Sequence, residues 1–385
     1  MPWNEVCAMR LREEFVSLAR QEGSALSELC RRFGISRPTA YKWLARAAVD
    51  GNAGAAASPH AWALDQNRRP HHSPRQTSPE GEDAVLGVRK KHPAWGGRKI
   101  RAVLLRRGDS SPAPSTITAI LRRHRCIDPA ASRDHQPFTR FERATPNELW
   151  QMDFKGDMAL AGGGRCEPLS ILDDHSRYAL LVAACDNQRD QTVRAHLTAV
   201  FRRYGLPQRM LLDNGSCWGG THEQRYTALS AWLLRLGVGI THGRPYHPQT
   251  QGKIERLHAT LEVELLATRR FAGLQDCHEA LEEWRHVYNH ERPHEALAMN
   301  TPASRYRVSA LCFPETLPAI EYDQGDSVRK VTTRGVISFA GKRWHVGKPF
   351  TGLPVAVRPT LQDGQWRVYF CHQVIANIDL RSADY

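Results

Sequence analysis

The sequence lacks a long apolar run: no stretch of its 385 residues approaches the ~18 to 20 residues that a membrane span needs, and the N-terminus has no signal-peptide pattern. Its nine cysteines include no CxxC pair, so their spacing fits neither a disulfide framework nor a zinc ribbon. We therefore expect a soluble intracellular protein without a membrane partner, whose cysteines are reduced and mostly pack in the interior.

Acidic residues are scarce relative to basic ones, and the imbalance is uneven along the chain. Residues 1–146 hold 25 Lys and Arg against 14 Asp and Glu, an excess of 11 out of the net charge of +13. Such an excess predicts a polyanionic partner that binds mainly to the N-terminal part. A basic surface that is simply solvated is the alternative.

The length exceeds what one hydrophobic core usually covers, so we predict several domains. Shifts in composition and periodicity divide the chain into six segments. These are a helix-turn-helix DNA-binding domain at 1–49, a linker at 50–78, a second helix-turn-helix-like DNA-binding domain at 79–133, a linker at 134–147, an α/β core at 148–308 and a small β-barrel at 320–385.

The first helix-turn-helix candidate is the stretch LSELCRRFGISRPTAYKWLARA. Ser27 is predicted to cap a short helix, Gly34 to turn the chain, and Ser36 to cap a second helix. The N-terminal half of that second helix would contact DNA, as recognition helices do, through Arg37, Thr39 and Lys42. A helical hairpin that serves packing alone is the alternative.

The second candidate has a helix from Glu82 to Lys91, a basic helix from Arg98 to Arg107 and a third helix from Ser115. The side chains predicted to face DNA are Arg98, Lys99, Thr116, Arg122 and Arg123. A solvated basic helix is a stronger alternative here than in the first candidate.

The core is predicted to hold a mixed, five-stranded sheet covered by helices. In its first strand, Leu149 to Phe154, Gln151 and Asp153 share one face. Asp213 ends a later apolar run and is followed by Asn214 and Gly215, which turn the chain. A carboxylate at a strand end beside a turn can reach an open cleft.

A third carboxylate, Glu255, belongs to a predicted helix that begins just after Pro248. Residues spaced at helical intervals form one apolar face, while Glu255 lies on the adjoining stripe with Gln251 and His258. The apolar positions are Ile254, Leu257, Leu261 and Leu265. The helix can therefore bury one side and present Glu255 from its border.

The order WQMDFKG, ILDDHSRY, LLDNGS and RPYHPQTQGKIER resembles the catalytic core of retroviral integrases and of integrase-type insertion-sequence transposases. The resemblance covers roughly 145–305, and it implies a ribonuclease-H-like fold. The catalytic and metal-binding triad of that family, two aspartates and a glutamate known as DDE, carries over onto Asp153, Asp213 and Glu255 without a substitution.

This resemblance implies a transposase that binds the terminal inverted repeats of its own mobile element and performs DNA cleavage and strand transfer. Two Mg²⁺ ions, about 3.5 to 4 Å apart and replaceable by Mn²⁺, would activate the attacking oxygen and stabilise the leaving one. Asp153 would bridge both ions, while Asp213 and Glu255 would each complete one site. The partners would be double-stranded DNA from the element ends and the target, with no small-molecule substrate. Because two ends must be brought together, the protein would act as a homo-oligomer. It would lie in the cytoplasm of a prokaryotic cell, associated with the nucleoid.

Residues near the triad carry weaker predictions. Those that could shape the site or touch the DNA end are Asn214, Gly215, His247 and Gln249. Lys253 and Arg256 are plausible phosphate contacts, although an exposed helix face is the alternative. Asp173 and Asp174 are predicted to serve a tight hairpin rather than a metal. Zinc binding by His290 and His294 is disfavoured because Pro293 lies between them.

From about residue 326 short alternating strands with Gly and Asp-Gly turns predict the small β-barrel, which could bind DNA backbone or mediate subunit contacts. Two other function classes remain open from the residues. One is a DNA-binding regulator with an inactive core, which the intact triad argues against. The other is a structure-selective nuclease, which the two N-terminal DNA-reading candidates argue against.

Overall fold

A computed structural model describes residues 7–50, 61–65, 76–127, 142–213, 226–242 and 251–381. The chain divides into two compact units, residues 1–76 and 77–385. Within the described ranges, no helix combines the length and the apolar composition needed to cross a membrane. The eight cysteines in these ranges are free thiols.

The first unit contains the predicted helix-turn-helix. Its helices are α1 (Ala8–Ala19), α2 (Leu26–Arg32) and α3 (Arg37–Asp50). Phe15, Ala40 and Trp43 are buried between them. Ser36 caps α3 as predicted, because its Oγ accepts the Thr39 N–H at 3.4 Å. The predicted Ser27 cap is wrong: α2 begins one residue earlier, at Leu26, so the hydroxyl of Ser27 lies inside the helix.

The second unit opens with three helices, α4 (Pro79–Lys91), α5 (Gly97–Arg106) and α6 (Pro114–Arg123). Ser78 caps α4 by accepting the Gly81 N–H at 3.2 Å. Ile100 and Leu104 of α5 pack against Ile117 of α6 in a small core. A side chain at Gly97 would meet the Pro114 carbonyl oxygen at 2.5 Å, so only glycine allows the two helices to approach this closely.

The central sheet confirms the predicted mixed arrangement. Its strands are β1 (Trp150–Phe154), β2 (Met158–Ala159), β3 (Arg165–Asp173), β4 (Ala179–Cys185), β5 (Arg209–Leu212) and β6 (Gly239–His242). Five of them follow the order β4-β3-β1-β5-β6, with β1, β5 and β6 parallel to one another and β3 antiparallel to both neighbours. The two-residue β2 pairs with the beginning of β3.

Helices cover both faces of this sheet. They are α7 (Asp190–Tyr204), α8 (Ala228–Arg235), α9 (Gly252–Leu261) and α10 (Leu274–His290). Trp150 and Met152 share a core with α7 and α8 on one face, whereas α9 and α10 pack with alternate residues of β3 and β4 on the other. The alternation read from β1 is thereby confirmed: Gln151 points toward α9, where its Oε1 accepts the Ile254 N–H.

The C-terminal strands are β7 (Ser327–Lys330), β8 (Val336–Phe339), β9 (Lys342–His345), β10 (Pro354–Pro359), β11 (Gln365–Phe370) and β12 (Gln373–Asp379). They form an antiparallel sheet of order β12-β11-β10-β7 and a separate β8-β9 hairpin, so closure into the predicted barrel is not observed among the described strands. The apolar face packs instead against the core, where Phe350 meets the Tyr226 ring with centroids 5.4 Å apart.

The three helices α4 to α6 dock on the core beside α10. Trp95, only 2% exposed, donates from its indole nitrogen to Glu264 Oε1 at 3.2 Å. Glu264 lies in one turn of π-helix, Glu262–Leu266, which directly continues α9. Arg106 adds hydrogen bonds to the carbonyl oxygens of Glu291 and Met299. The helical region is therefore fixed to the core through side chains that are distant in sequence.

Candidate active site and DNA-binding helices

Asp153, the last residue but one of β1, and Asp213, directly after β5, lie at the carboxyl ends of two adjacent parallel strands. The register of β1 against β5 places Met152 beside Leu212, so the following residues, Asp153 and Asp213, continue side by side. Strands that run in parallel present their carboxyl ends at the same edge of the sheet, where open α/β sheets bind ligands. The Asp153 side chain remains 21% exposed and Asp213 is exposed. Both carboxylates can therefore reach a ligand at that edge.

Glu255 comes to the same edge from α9. Ile254, Leu257 and Leu261 are buried against the sheet, as the periodicity predicts, and Glu255 is exposed in the first turn of the helix. The Ile254 N–H donates to Gln151 Oε1 at 3.2 Å, and Gln151 lies two residues before Asp153 in β1. This contact attaches the start of α9 to the strand that carries Asp153.

The electrostatics show that the three carboxylates act on one another. Burial, followed by the negative charges of Asp213 and Glu255, raises the pKa of Asp153 to about 7. A hydrogen bond from the Phe154 backbone opposes this shift. The site therefore concentrates negative charge that a bound cation would relieve.

The donor set fits a hard divalent cation, because all three side chains offer carboxylate oxygens. Among the described residues, no three His, Cys, Asp or Glu side chains are gathered closely enough to form a preformed metal cluster. An open arrangement of this kind suits Mg²⁺, which usually keeps several waters and takes substrate phosphate oxygens as its remaining ligands.

His258 lies beside Asp153, one helical turn after Glu255. Its Nδ1 is 3.8 Å from Asp153 Oδ2, and burial, followed by the charge of Lys155, lowers the pKa of His258 to about 4. The imidazole is therefore neutral at physiological pH. The sequence places His258 on the Glu255 stripe but gives no sign of its contact with Asp153, which depends on how α9 crosses β1.

Lys253 turns away from the position expected of a phosphate contact. Its ammonium is 2.5 Å from Asp174 Oδ2, and its side chain is only 16% exposed. Arg256, three residues on, is exposed and remains available to DNA. The predicted site-shaping residues Asn214, Gly215, His247 and Gln249 lie outside the described ranges.

The two neighbouring aspartates of the β3-β4 hairpin have different partners. Asp173 accepts the Ser176 hydroxyl at 2.6 Å and the Ser176 N–H at 2.8 Å, which confirms the predicted turn chemistry. Asp174 instead binds Lys253 and Gln151. His294 is buried against Tyr288, whereas His290 faces His286, so the structure does not bring His290 and His294 together.

In the first unit the predicted DNA-binding residues lie along the outer side of α3. Arg37 and Lys42 are exposed, and Thr39 is partly buried because its hydroxyl pairs with Ser36 Oγ at 2.9 Å. Tyr41, which sequence reasoning passed over, is 60% exposed on the same helix. The signal in the sequence is the aromatic residue directly before Lys42, since an aromatic ring on a basic helix suits contact with bases or sugars.

In the second unit the predicted DNA-binding residues fall into two groups. Thr116, Arg122 and Arg123 are exposed on α6, although Arg123 is paired with Glu82. On α5, by contrast, Arg98 is 3.6 Å from Glu295, and Lys99 faces the core. Burial and the nearby charge of Arg292 lower the pKa of Lys99 to about 8. Lys99 is therefore turned to the core, whereas Arg98, with a side chain that is 69% exposed, stays on the surface like Arg122 and Arg123.

Family models match four stretches of the chain. Models described as "Integrase core domain" match residues 143–248 and 236–302. A model described as "IS481 family transposase, C-terminal domain" matches residues 326–384, and one described as "Homeodomain-like domain" matches residues 39–121.

The chain is also similar to proteins of bacterial insertion elements. The "Insertion element IS407 uncharacterized 31.7 kDa protein" of Burkholderia multivorans is 29% identical over 43% of this chain and 58% of that protein. The "Putative transposase for insertion sequence element IS5376" of Geobacillus stearothermophilus is 23% identical over 61% of this chain and 59% of that protein. The chain thus spans less than two thirds of the length of either relative. A solved structure of the HTLV-2 integrase catalytic core domain in complex with magnesium is 16% identical, covers 43% of this chain and 99% of that chain, and has a TM-score of 0.32.

The mixed sheet, the helices on both of its faces and the matched core models define a protein with an integrase core. Its C-terminal strands coincide with the model of the IS481-family C-terminal domain. The matched models identify an integrase core within residues 143–302 and an IS481-family transposase C-terminal domain at residues 326–384, and the chain is similar to a putative insertion-sequence transposase over 61% of its length.

Proposed function

We propose that this chain binds the terminal inverted repeats of an insertion sequence and catalyses DNA cleavage and strand transfer as a DDE polynucleotidyl transferase. The observation that carries the proposal is the gathering of three carboxylates: burial, Asp213 and Glu255 together raise the pKa of Asp153. Perturbed carboxylates at a strand edge are typical of catalytic sites. The matches to the integrase core model and to the IS481-family C-terminal model support the same reaction.

The triad would hold Mg²⁺, for which Mn²⁺ could substitute, and two bound ions would activate the attacking oxygen and stabilise the leaving oxygen of the phosphodiester. Asp153 is the most buried of the three, and the charges of both other carboxylates act on it. Asp213 reaches the site from β5 and Glu255 from α9. His258, whose pKa is lowered to about 4 by burial, stays neutral beside Asp153.

Sequence-specific binding of the element ends is assigned to two helical regions, at 1–49 and 79–133. The homeodomain-like match runs from α3 into α6, and both helices carry exposed basic residues. On α3 these residues are Arg37 and Lys42. On α6 we choose Arg122, because the neighbouring Arg123 is paired with Glu82. Residues 148–308 would catalyse the reaction, and 320–385 would contact DNA or a second copy.

The reaction joins two element ends, so we propose that the chain works as a homo-oligomer on double-stranded DNA. Both the ends and the target would be bound by the excess of positive charge in residues 1–146. A bacterial cell is the setting that the insertion-element relatives suggest, with the protein on the nucleoid.

Transposition in cells, measured beside binding to the cognate ends, tests this function. Replacing Asp153 by Asn removes a central ligand while keeping the shape of the side chain, so we expect transposition to fall by at least about three orders of magnitude and end binding to be retained. The control is Asp157→Asn, which changes an exposed carboxylate paired with Arg165 outside the triad and should transpose normally. Full transposition by Asp153→Asn would exclude the triad as the catalytic centre.

A further inference from the structure

A buried group of polar side chains joins the β3-β4 hairpin to the start of α9. We call Gln151, Asp174 and Lys253 the buried polar triplet. Asp174 is 1% exposed and Gln151 is 2% exposed, so both are shielded from water. Asp174 Oδ1 accepts from Gln151 Nε2 at 2.9 Å, and Asp174 Oδ2 accepts the Arg143 N–H at 2.9 Å. The carboxylate is therefore held in one orientation from two sides.

The Gln151 side chain connects Asp174 to the first turn of α9. Its Nε2 donates to Asp174, and its Oε1 accepts the Ile254 N–H at 3.2 Å. The same N–H also donates to the Gln251 carbonyl oxygen at 3.0 Å, so Gln151 is a second acceptor that the first turn shares. The N-cap residue of α9, Gln251, makes no side-chain cap. Gln151 thus ties the first turn of α9 to the strand carrying Asp153.

Lys253 makes the second connection. Its ammonium lies 2.5 Å from Asp174 Oδ2 and donates to the Asp174 carbonyl oxygen at 3.3 Å. Because the carboxylate is buried, removal of Lys253 would leave its charge with Arg177 as the nearby cation, in a site that water cannot easily reach. Residues 253 and 254 are both attached in this way, and Glu255 is the next residue along the helix.

We propose that the buried polar triplet positions Glu255, so that the third carboxylate is delivered to Asp153 and Asp213 in a fixed place. The inference rests on the proposed function, because it concerns the same active site. Gln151 fixes the height of α9 on β1, and Lys253 fixes the rotation of its first turn through Asp174. None of the three touches the reacting phosphodiester, so they are positioning residues.

The competing role for Lys253 is direct contact with a DNA phosphate. The two roles give opposite patterns. If Lys253 contacts a phosphate, replacing it would weaken DNA binding and lower the salt dependence of that binding. Replacing Asp174 would then have no effect on α9. A positioning role would leave DNA affinity nearly unchanged and would make Lys253, Asp174 and Gln151 act as one group.

The experiment compares Gln151→Met, Asp174→Asn and Lys253→Met in the full-length protein with the matched control Asp173→Asn. Asp173 is also buried, but it serves the hairpin turn. Hydrogen exchange of amides 251–258, strand transfer from a pre-cut end, and DNA affinity are measured for each. We expect the three triplet variants to speed exchange in this segment and to slow strand transfer, each by about tenfold or more, with DNA affinity within about twofold of wild type. Asp173→Asn should leave exchange in 251–258 unchanged.

Rescue separates positioning from a general loss of stability. The double variant Asp174→Asn with Lys253→Gln replaces the ion pair by a neutral amide pair, and it should recover slow exchange relative to either single change. Normal exchange and transfer in Asp174→Asn, together with weakened DNA binding in Lys253→Met, would overturn the proposal. If wild type showed no strand transfer, the proposed function would fail, while the exchange comparison would still decide whether the triplet holds α9.

Discussion

Asp153 is the side chain in which the demands of folding and of the proposed reaction conflict. It is mostly buried beside two carboxylates, which disfavours its negative charge, and burial is the larger cause of its raised pKa. A protein that needed only stability would place a neutral side chain here. Sites that trade stability for chemistry in this way are typical of enzymes.

Replacing Asp153 by Asn is expected to stabilise the metal-free protein. The folded-state pKa is about 7 against an ordinary value of 3.8, so the folded form loses stability as pH rises through this window. We expect Asp153→Asn to raise the free energy of unfolding by about 1 to 3 kcal/mol at pH 8, allowing for partial exposure, and by much less near pH 5. Urea unfolding in the presence of a chelator measures the difference.

Asp186→Asn, which changes an exposed carboxylate after β4, is the control and should show no such pH dependence. Equal stability of Asp153→Asn and wild type at pH 8 would contradict the claim that the buried negative charge of Asp153 destabilises the folded protein. Addition of Mg²⁺ should narrow the difference, because the cation stabilises the charged side chain of the wild type alone.

At the scale of elements, α5 and α6 are both basic but face different surroundings. Lys99 on α5 lies near Glu264, Glu295 and Arg292, whereas Arg122 on α6 is exposed. A charge that is already engaged with the core contributes little to DNA binding. We therefore predict that Lys99 on α5 supports docking to the core and that Arg122 on α6 contacts DNA.

Replacing Arg122 by Ala should weaken DNA binding, whereas Lys99→Ala should weaken docking. Loss of one phosphate contact lowers the salt slope of the binding constant by about one unit. We expect Arg122→Ala to lower the salt slope in this way and to leave the unfolding temperature unchanged. We expect Lys99→Ala to leave the salt slope unchanged and to lower the unfolding temperature. Fluorescence anisotropy over a range of salt concentrations and thermal unfolding give the two readouts. The same salt slope in both variants would show that α6 is not a DNA-binding surface.

Local patterns predicted much of the element structure. The alternation in β1, the apolar run before Asp213 and the helical spacing around Glu255 are all local. The helix that carries Glu255 is confirmed, although α9 begins at Gly252 rather than just after Pro248 and gives way to a π-helical turn at Glu262. The inward turn of Lys253 could not be predicted, because helical periodicity gives the position of a side chain but not the direction of a long, flexible one. The docking of Trp95 on Glu264 also depends on residues 169 positions apart.

At the scale of the whole second unit, the core and the C-terminal strands share one hydrophobic cluster. Helix α8 is buried on every side, from Leu229 to Leu234, between the central sheet and the C-terminal residues. The hydroxyl of Tyr226 also donates to the Val374 carbonyl oxygen at 3.1 Å. Alternating strands in the sequence predicted a separate barrel because periodicity shows which side is apolar, and not what covers it.

Deletion of residues 320–385 is therefore expected to destabilise the core. It removes Phe350 and its neighbours, which would expose the apolar surface of α8 and lower the unfolding temperature. Thermal unfolding and binding of an apolar dye measure this effect. Deletion of residues 1–76, the other compact unit, is the control and should leave the remaining chain as stable as before. Unchanged unfolding after the C-terminal deletion would show that the strands are an independent module.

The central claim is that Asp153, Asp213 and Glu255 form one catalytic site for DNA transfer. Its most direct test is strand transfer from a labelled, pre-cut cognate end into plasmid DNA with Mg²⁺, comparing wild type with Glu255→Gln. The account predicts joined product from wild type and none from the variant, with equal binding of the end. Joined product from both would contradict the role of Glu255, and cleavage without joining would make the protein a nuclease.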